Sequence, residues 1–272
     1  GGLVLHHFGR LNWHGFVWIL VAAGCLRLMS LKFLRQMHEP AEIAQEAPSY
    51  RACLMRHPHY SRFIMTYGLM AICVSLTSPF LSLFMLRDLG WSYAQYTLMI
   101  VAAQATLYWM MGRWGRNADS AGNMKIIQIT ARFLPLTALL WIFSRNFYYL
   151  MGVQLVSGAV WAGYNLCVGN YVYDAVPNRQ RVHATALFST VNGLATFVGA
   201  TLGGFLLNLL PPLGGERYYS LLLAGGLARM LVGWLLFPRL REVREVAPTR
   251  SKELVCDVLG IDSLRDAVPF EI

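Results

Sequence analysis

Long apolar segments alternate with short polar stretches along the whole chain. Each apolar segment has about 20 residues or more, enough to cross the ~30 Å hydrocarbon core of a bilayer as a helix. None alternates like a strand, and none has the charged face that a helix of a soluble bundle needs. The pattern predicts an all-α, polytopic membrane bundle of about seven transmembrane helices. The segments are 14–34, 61–86, 92–112, 124–144, 147–173, 183–209 and 219–237.

The composition of the 272 residues agrees with a membrane protein. Hydrophobic residues make up 56% of the chain and charged residues only 14%, whereas soluble domains carry about 25% charged residues. This balance excludes a disordered chain. The five cysteines show no paired spacing and no CxxC, so neither a disulfide framework nor a zinc site is indicated.

Positive charge is unevenly distributed along the chain. The net charge of +9 could suggest a nucleic-acid partner. However, fifteen of the 23 Lys and Arg residues lie on one alternate set of connections and only four on the other set. Cytoplasmic loops of membrane proteins are enriched in this way, so we expect no nucleic-acid partner. The connections predicted to be cytoplasmic are 35–60, 113–123, 174–182 and the tail from 238.

The start of the chain resembles a later part of it. The Gly-Gly pair at 1–2 falls on the pair at 203–204, and without a gap Arg27 falls on Arg229. This offset predicts a repeat of about 200 residues and six helices, as in transporters built from two halves. We therefore expect the chain to begin with the last helix of a first half, whose other helices lie upstream, and to continue with a whole second half.

The connection after the third apolar segment contains a short signature. Gly115 is followed by Asp119 four residues on, by Gly122 three further, and then by the basic Lys125. This resembles the cytoplasmic signature of the major facilitator superfamily, although Asn123 stands where that family usually has a basic residue. Two parallel six-helix halves also fit the superfamily. The domains are then the last helix of the N-terminal half (1–34), a cytoplasmic linker (35–60), the C-terminal six-helix half (61–237) and a cytoplasmic tail (238–272).

Four apolar segments carry polar and aromatic side chains at helical spacing, and Trp161, Tyr164 and Asn165 share one face. An amide or hydroxyl that faces lipid is unfavourable, so these groups face protein or water. Serine and threonine side chains also form hydrogen bonds between helices that have no role in ligand binding. The resemblance implies that these four helices line a central cavity. The predicted cavity residues are Ser78, Gln104, Tyr108, Ser157, Trp161, Tyr164, Asn165, Asn192 and Thr196.

The signature suggests a conformational role for its acidic residue. We expect the carboxylate of Asp119 to meet the guanidinium of Arg181 and the start of the segment at 183 while the cytoplasmic side is closed. An ordinary solvated loop acid is the alternative. The predicted latch residues are Gly115, Asp119, Gly122, Lys125 and Arg181.

The remaining chemistry favours transport over catalysis. All fourteen Asp and Glu residues lie in connections, at segment ends or in the tail, and no catalytic or phosphate-binding motif is present. We predict no catalytic residue, no metal site and no cofactor. The favoured function is a secondary transporter, or facilitator, that moves a small organic solute by alternating access. The expected partners are the lipid bilayer, the solute and the missing N-terminal half, in an inner (plasma) membrane of bacterial type. A seven-helix receptor and a transport-inactive assembly partner remain as alternatives.

Three local features complete the sequence predictions. Pro79 is expected to kink its helix. The side chain of Arg229 is expected to reach the membrane interface along its long stem. The tail is expected to be a solvated appendage with a short helix from Ser251 to Leu259.

Overall fold

A computed structural model of the chain describes residues 13–34, 57–244, 246, 254 and 258. The described residues are almost entirely helical and form no strand, which confirms the predicted all-α bundle. The predicted linker, apart from 57–60, and most of the predicted tail helix lie outside the described residues. The α-helices are α1 (Trp13–Leu34), α2 (Pro58–Ser75), α3 (Ser78–Leu83), α4 (Tyr93–Ala121), α5 (Asn123–Leu139), α6 (Phe147–Asp174), α7 (Arg181–Leu209) and α8 (Arg217–Leu231).

Short π and 3-10 turns lengthen several of these helices. Turns at Phe84–Asp88, Leu140–Ile142 and Val232–Leu236 continue α3, α5 and α8. With them, four helical stretches are long and apolar enough to cross a membrane: 58–88, 123–142, 178–209 and 217–239. Helices α4 and α6 are equally long, with 29 and 28 residues, but Gln, Asn and Tyr residues make them less apolar.

The first long stretch is broken near its middle. Helix α2 ends at Ser75 and α3 begins at Ser78, directly before Pro79. Proline has no N–H to donate, and its ring clashes with the carbonyl four residues earlier. The kink predicted from Pro79 is therefore confirmed, as a full break at residues 76–77.

Small residues allow the helices to approach one another closely. Gly158 of α6 lies directly against the backbone of Ala103 in α4, and Gly203 of α7 lies against the carbonyl of Leu76. Any Cβ at either glycine would overlap a backbone atom. Ala195 shares the buried face of α7 with Gly203, as expected for a ridge of small side chains.

The helix ends form two clusters of contacts. We call the end that includes 57–60, 117–125, 174–184 and 237–244 the signature end; there, for example, the Tyr60 hydroxyl donates to the Ala184 carbonyl over 2.6 Å. The far end contains the opposite connections. It is closed by an aromatic core in which Phe84, Trp141 and Tyr218 pack together.

Three sequence predictions are wrong in the described part of the chain: a loop, the place of an arginine side chain, and the solvated tail. The segment 113–121 is the last part of α4 rather than a loop, and only Gly122 separates α4 from α5. Arg229 does not reach an interface, because it is 5% exposed near the middle of the 217–239 stretch.

The tail is not a free appendage where it is described. Leu254 and Val258 are helical and each is only 2% exposed. The Arg113 guanidinium donates to the Val258 carbonyl over 3.1 Å, and Leu254 packs with Ala121 and Ile129. Both residues therefore contact α4, and Leu254 also contacts α5.

Candidate functional site

A second group of aromatic side chains lies between α2, α6 and α7. Its centre is Tyr164, which is 3% exposed. The Trp161 ring meets the Tyr164 ring edge-on at 5.7 Å between centroids, and the Tyr67 ring stacks on it at 6.5 Å. The Phe188 ring packs on Tyr67 at 4.6 Å. Together with Asn192, these side chains form a group that we call the aromatic–amide cluster: Tyr67, Trp161, Tyr164, Phe188 and Asn192.

The amide of Asn192 ties the cluster together. The Tyr67 hydroxyl donates to the Asn192 Oδ1 over 2.8 Å and so joins α2 to α7. Tyr67 is ten residues from His57 along α2, which is roughly 15 Å, or about half of a ~30 Å hydrocarbon layer. The cluster therefore lies near the middle of the membrane.

The hydroxyl of Tyr164 is buried without a hydrogen-bond partner in the part of the chain that the structure describes. Buried polar groups are nearly always paired, and an unpaired one costs about 1–3 kcal/mol. The hydroxyl lies within a group of aromatic rings. Within the described residues, the hydroxyl thus keeps an unused donor.

The structure brings together some of the predicted cavity residues and separates others. Trp161, Tyr164 and Asn192 belong to the cluster. Ser157 is buried on α6, one turn before Trp161. The other predicted side chains are exposed and make no described side-chain hydrogen bond or ring contact. They are Ser78, Gln104, Tyr108, Asn165 and Thr196.

Sequence reasoning missed Tyr67 and Phe188. The sequence held a signal for Tyr67, because Tyr60, Phe63 and Tyr67 recur at spacings of three and four residues on one face of α2. The only cavity residue predicted in that segment was Ser78. Phe188 shows no comparable pattern, and only its contact with Tyr67 identifies it.

Four of the predicted latch residues lie at the signature end, and Gly115 lies two residues before it on α4. Asp119 is exposed on the last turn of α4. The Arg181 Nε donates to the Tyr173 carbonyl over 3.2 Å, and its guanidinium lies 5.9 Å from the centre of the Tyr173 ring. Among the described residues, the one carboxylate–guanidinium pair is Arg145 with Glu216.

That ion pair lies at the far end. The Arg145 Nη2 and the Glu216 Oε1 are 2.6 Å apart. Hydrogen bonds to the Tyr219 hydroxyl and to Glu216 raise the pKa of Arg145. Because Arg145 is permanently charged in any case, the pair joins two far-end connections and does not act as a proton switch.

A different acid occupies the helix terminus at the signature end. The Glu242 Oε2 accepts the Met124 backbone N–H over 2.7 Å at the start of α5. Negative charge is favourable at a helix N-terminus. Gly122, with φ of +88°, lies beside this carboxylate, and a Cβ there would be 2.5 Å from the Glu242 Oε2. The glycine of the signature thus makes room for Glu242.

The departure from the family pattern at Asn123 has a structural reason. The Asn123 side chain is 1% exposed, and its Nδ2 donates to the Asp174 Oδ2 over 2.7 Å. The amide joins the start of α5 to the end of α6. Across the described ranges, no group of three or more His, Cys, Asp or Glu residues could hold a metal ion.

Comparison with known proteins decides the family. A family model described as Major Facilitator Superfamily matches residues 63–267, which is more than half of the chain. The chain belongs to this superfamily. It is an integral membrane member of a transporter family, as the signature and the two-half architecture predicted.

One curated relative narrows the comparison within the superfamily. The chain is 32% identical over 158 residues to a gallate transporter of Pseudomonas putida. The match covers 56% of this chain and 33% of that transporter. The matched part therefore spans about a third of the relative's length.

Proposed function

We propose that this superfamily member is part of a secondary transporter that moves a small aromatic acid across the membrane by alternating access. The observation that carries the proposal is the aromatic–amide cluster with its unpartnered Tyr164 hydroxyl. The similarity to a gallate transporter supports an aromatic substrate with hydroxyl and carboxylate groups. In this proposal the chain supplies one helix of the N-terminal half and the whole C-terminal half, with linker and tail in the cytoplasm.

The chemistry of the cluster suits such a solute. Aromatic rings pair by offset stacking or edge-to-face contact at centroid distances of 4.5–7 Å, and each pair contributes about 0.5–1.5 kcal/mol beyond buried area. Trp161 offers a half-buried ring for such a contact. The Tyr164 hydroxyl can donate to a phenolic or carboxylate oxygen of the solute. Sites for small molecules are usually lined by many apolar side chains and a few polar groups.

A direct test is uptake by the natural full-length protein in proteoliposomes. We expect saturable uptake of radiolabelled gallate, with competition by benzoate and none by glucose, which lacks an aromatic ring. Uptake blocked by glucose but unaffected by benzoate would show that the cluster does not select aromatic solutes.

The Tyr164→Phe variant should separate ligand binding from packing. Loss of an unpartnered buried hydroxyl should stabilise the fold by about 1 kcal/mol, whereas loss of a solute hydrogen bond should raise the KM for gallate about fivefold. The two readouts are the thermal midpoint in detergent and the concentration dependence of uptake. Tyr171→Phe is the matched control, since the Tyr171 hydroxyl already donates to the Arg241 carbonyl. It should lower the midpoint and leave KM unchanged. An unchanged KM in Tyr164→Phe would remove the hydroxyl from the site.

We further propose that Asp119 acts as the latch of the signature end in the closed state, through Arg181 and the start of α7. Asp119→Asn should shift the population toward the inward-open state by about a factor of ten for each 1.4 kcal/mol lost. Spin labels at positions 30 and 120 would report the opening as a longer distance. Asp88→Asn, an exposed far-end acid, should leave the distances unchanged. If both variants match the wild type, Asp119 is an ordinary surface acid.

A further inference from the structure

The break in the first long stretch leaves backbone carbonyls without their usual donors. Thr77 N–H donates to the Val74 carbonyl, three residues back rather than four, which leaves the Cys73 carbonyl without its regular donor. The Ser75 carbonyl has none either, since Pro79 lacks an N–H. In hydrocarbon every such group needs another partner.

Arg229 of α8 donates from the side to the Cys73 carbonyl, which lacks its regular donor, and to two further groups at the break. Its Nη2 donates to the Val74 carbonyl over 3.1 Å and also to the Thr77 hydroxyl, and its Nε lies 3.4 Å from the Cys73 carbonyl. The planar guanidinium thus contacts the last turn of α2 and the residue that precedes α3. A lysine has three donors on a single nitrogen and could not reach this set in the same geometry.

Two neighbours of Arg229 support the same contact. The Tyr218 hydroxyl, about three turns before Arg229 on the same face of α8, donates to the Thr77 carbonyl over 3.3 Å. Gly225, one turn before Arg229, lets α8 approach: a Cβ there would be 2.5 Å from the Thr77 Cγ2. Arg229, Gly225 and Tyr218 thus all contact Thr77 in the break, and Arg229 also contacts the last turn of α2.

The charge of Arg229 makes this arrangement informative. No carboxylate in the described residues lies within ion-pair distance of it, and its side chain is 5% exposed. An arginine at the bilayer centre strongly disfavours insertion unless its donors find partners. The carbonyl dipoles at the break are what offset that penalty here.

We propose that Arg229 is a positioning residue that fastens the break, so that α2 and α3 move as one body during the transport cycle. Helix α2 carries Tyr67 of the aromatic–amide cluster. The stretch continued from α3 carries Phe84, which stacks on Tyr218 at 4.5 Å at the far end. With Arg229 bonded to the break, movement of the far end is transmitted to the cluster. Without these bonds, α2 and α3 can bend relative to each other, and the movement is not transmitted.

Spin labels at positions 65 and 83 in the full-length protein test the proposal, because Met65 and Leu83 are exposed and lie on opposite sides of the break. Double electron–electron resonance should give a narrow distance distribution in the wild type and one about twice as wide in Arg229→Met. The distance distribution should also be wide in Arg229→Lys, because a single ammonium group cannot replace the planar guanidinium and its several N–H donors. A narrow distribution in Arg229→Met, or its full recovery in Arg229→Lys, would overturn the proposal.

Controls keep the result independent of folding and of the substrate. Arg217→Met changes an exposed arginine at the start of the same helix and should keep the narrow distribution. Thr77→Val removes one acceptor with little change of volume and should widen the distribution even if Arg229→Met does not fold; a wild-type width there counts against the proposal. In gallate uptake, Arg229→Met should lower Vmax about fivefold with KM little changed. The distance readout does not depend on the solute, so it stands even if the proposed substrate is wrong.

Discussion

Replacing Trp161 by Ala should raise the KM for an aromatic acid about tenfold while the amount of folded protein in the membrane stays the same. Trp161 is half-buried and meets Tyr164 edge-on at 5.7 Å, so part of its ring is free to contact a solute. Loss of one aromatic contact and its buried area removes about 1.4 kcal/mol, which corresponds to a factor of ten. Gallate uptake at several concentrations, normalised to membrane protein, measures the change.

Trp234→Ala is the matched control for this prediction. Trp234 is 56% exposed on the turn that continues α8, and its indole N–H donates to the Arg132 carbonyl. Trp234 lies away from the aromatic–amide cluster, so the KM of the Trp234→Ala variant for gallate should equal that of the wild type. Asn165→Ala extends the test to an exposed residue of the same face of α6. If Trp161→Ala lowers only the folded amount, Trp161 is a packing residue.

The elements of the fold could be predicted from local sequence, because each depends on a local property. Length and hydrophobicity define the helices, proline defines the break before Pro79, and small residues at four-residue spacing define the ridge that ends at Gly203. Each of these signals lies within one helix. The structure confirms the predicted helices and the break, and it places Gly203 of the ridge against the Leu76 carbonyl.

The wrong or missing predictions concern partners that are distant in the sequence. Arg229 and the break at 76–77 are more than 150 residues apart, and nothing near Arg229 shows that orphaned carbonyls face it. The short distance from Arg229 to the expected cytoplasmic end of its segment, together with its long stem, therefore favoured a path to the interface. The cluster shows the same limit, since Tyr67 is a recognisable aromatic but its bond to Asn192 spans 125 positions.

Gly122→Ala should destabilise the folded protein by about 3 kcal/mol, because two independent penalties fall on one residue. Gly122 alone separates α4 from α5, at φ of +88° and ψ of +154°, a backbone conformation that is essentially restricted to glycine. The added Cβ would also be 2.5 Å from the Glu242 Oε2, which caps α5. The thermal midpoint in detergent is the measurement, and transport should fall together with the folded amount.

Two further variants divide the penalty into its parts. Gly90→Ala has a positive φ of +65° but no heavy atom within 4 Å of its Cβ, so it should lose only about 1 kcal/mol of conformational free energy. Glu242→Ala removes the cap and should cost about 1 kcal/mol alone. Because the carboxylate is also the clashing group, the double variant Gly122→Ala with Glu242→Ala should be less destabilised than the sum of the two single variants. Strict additivity would mean that Glu242 accommodates the Cβ and keeps its bond to the Met124 N–H, and that the signature glycine is needed only for its backbone angles.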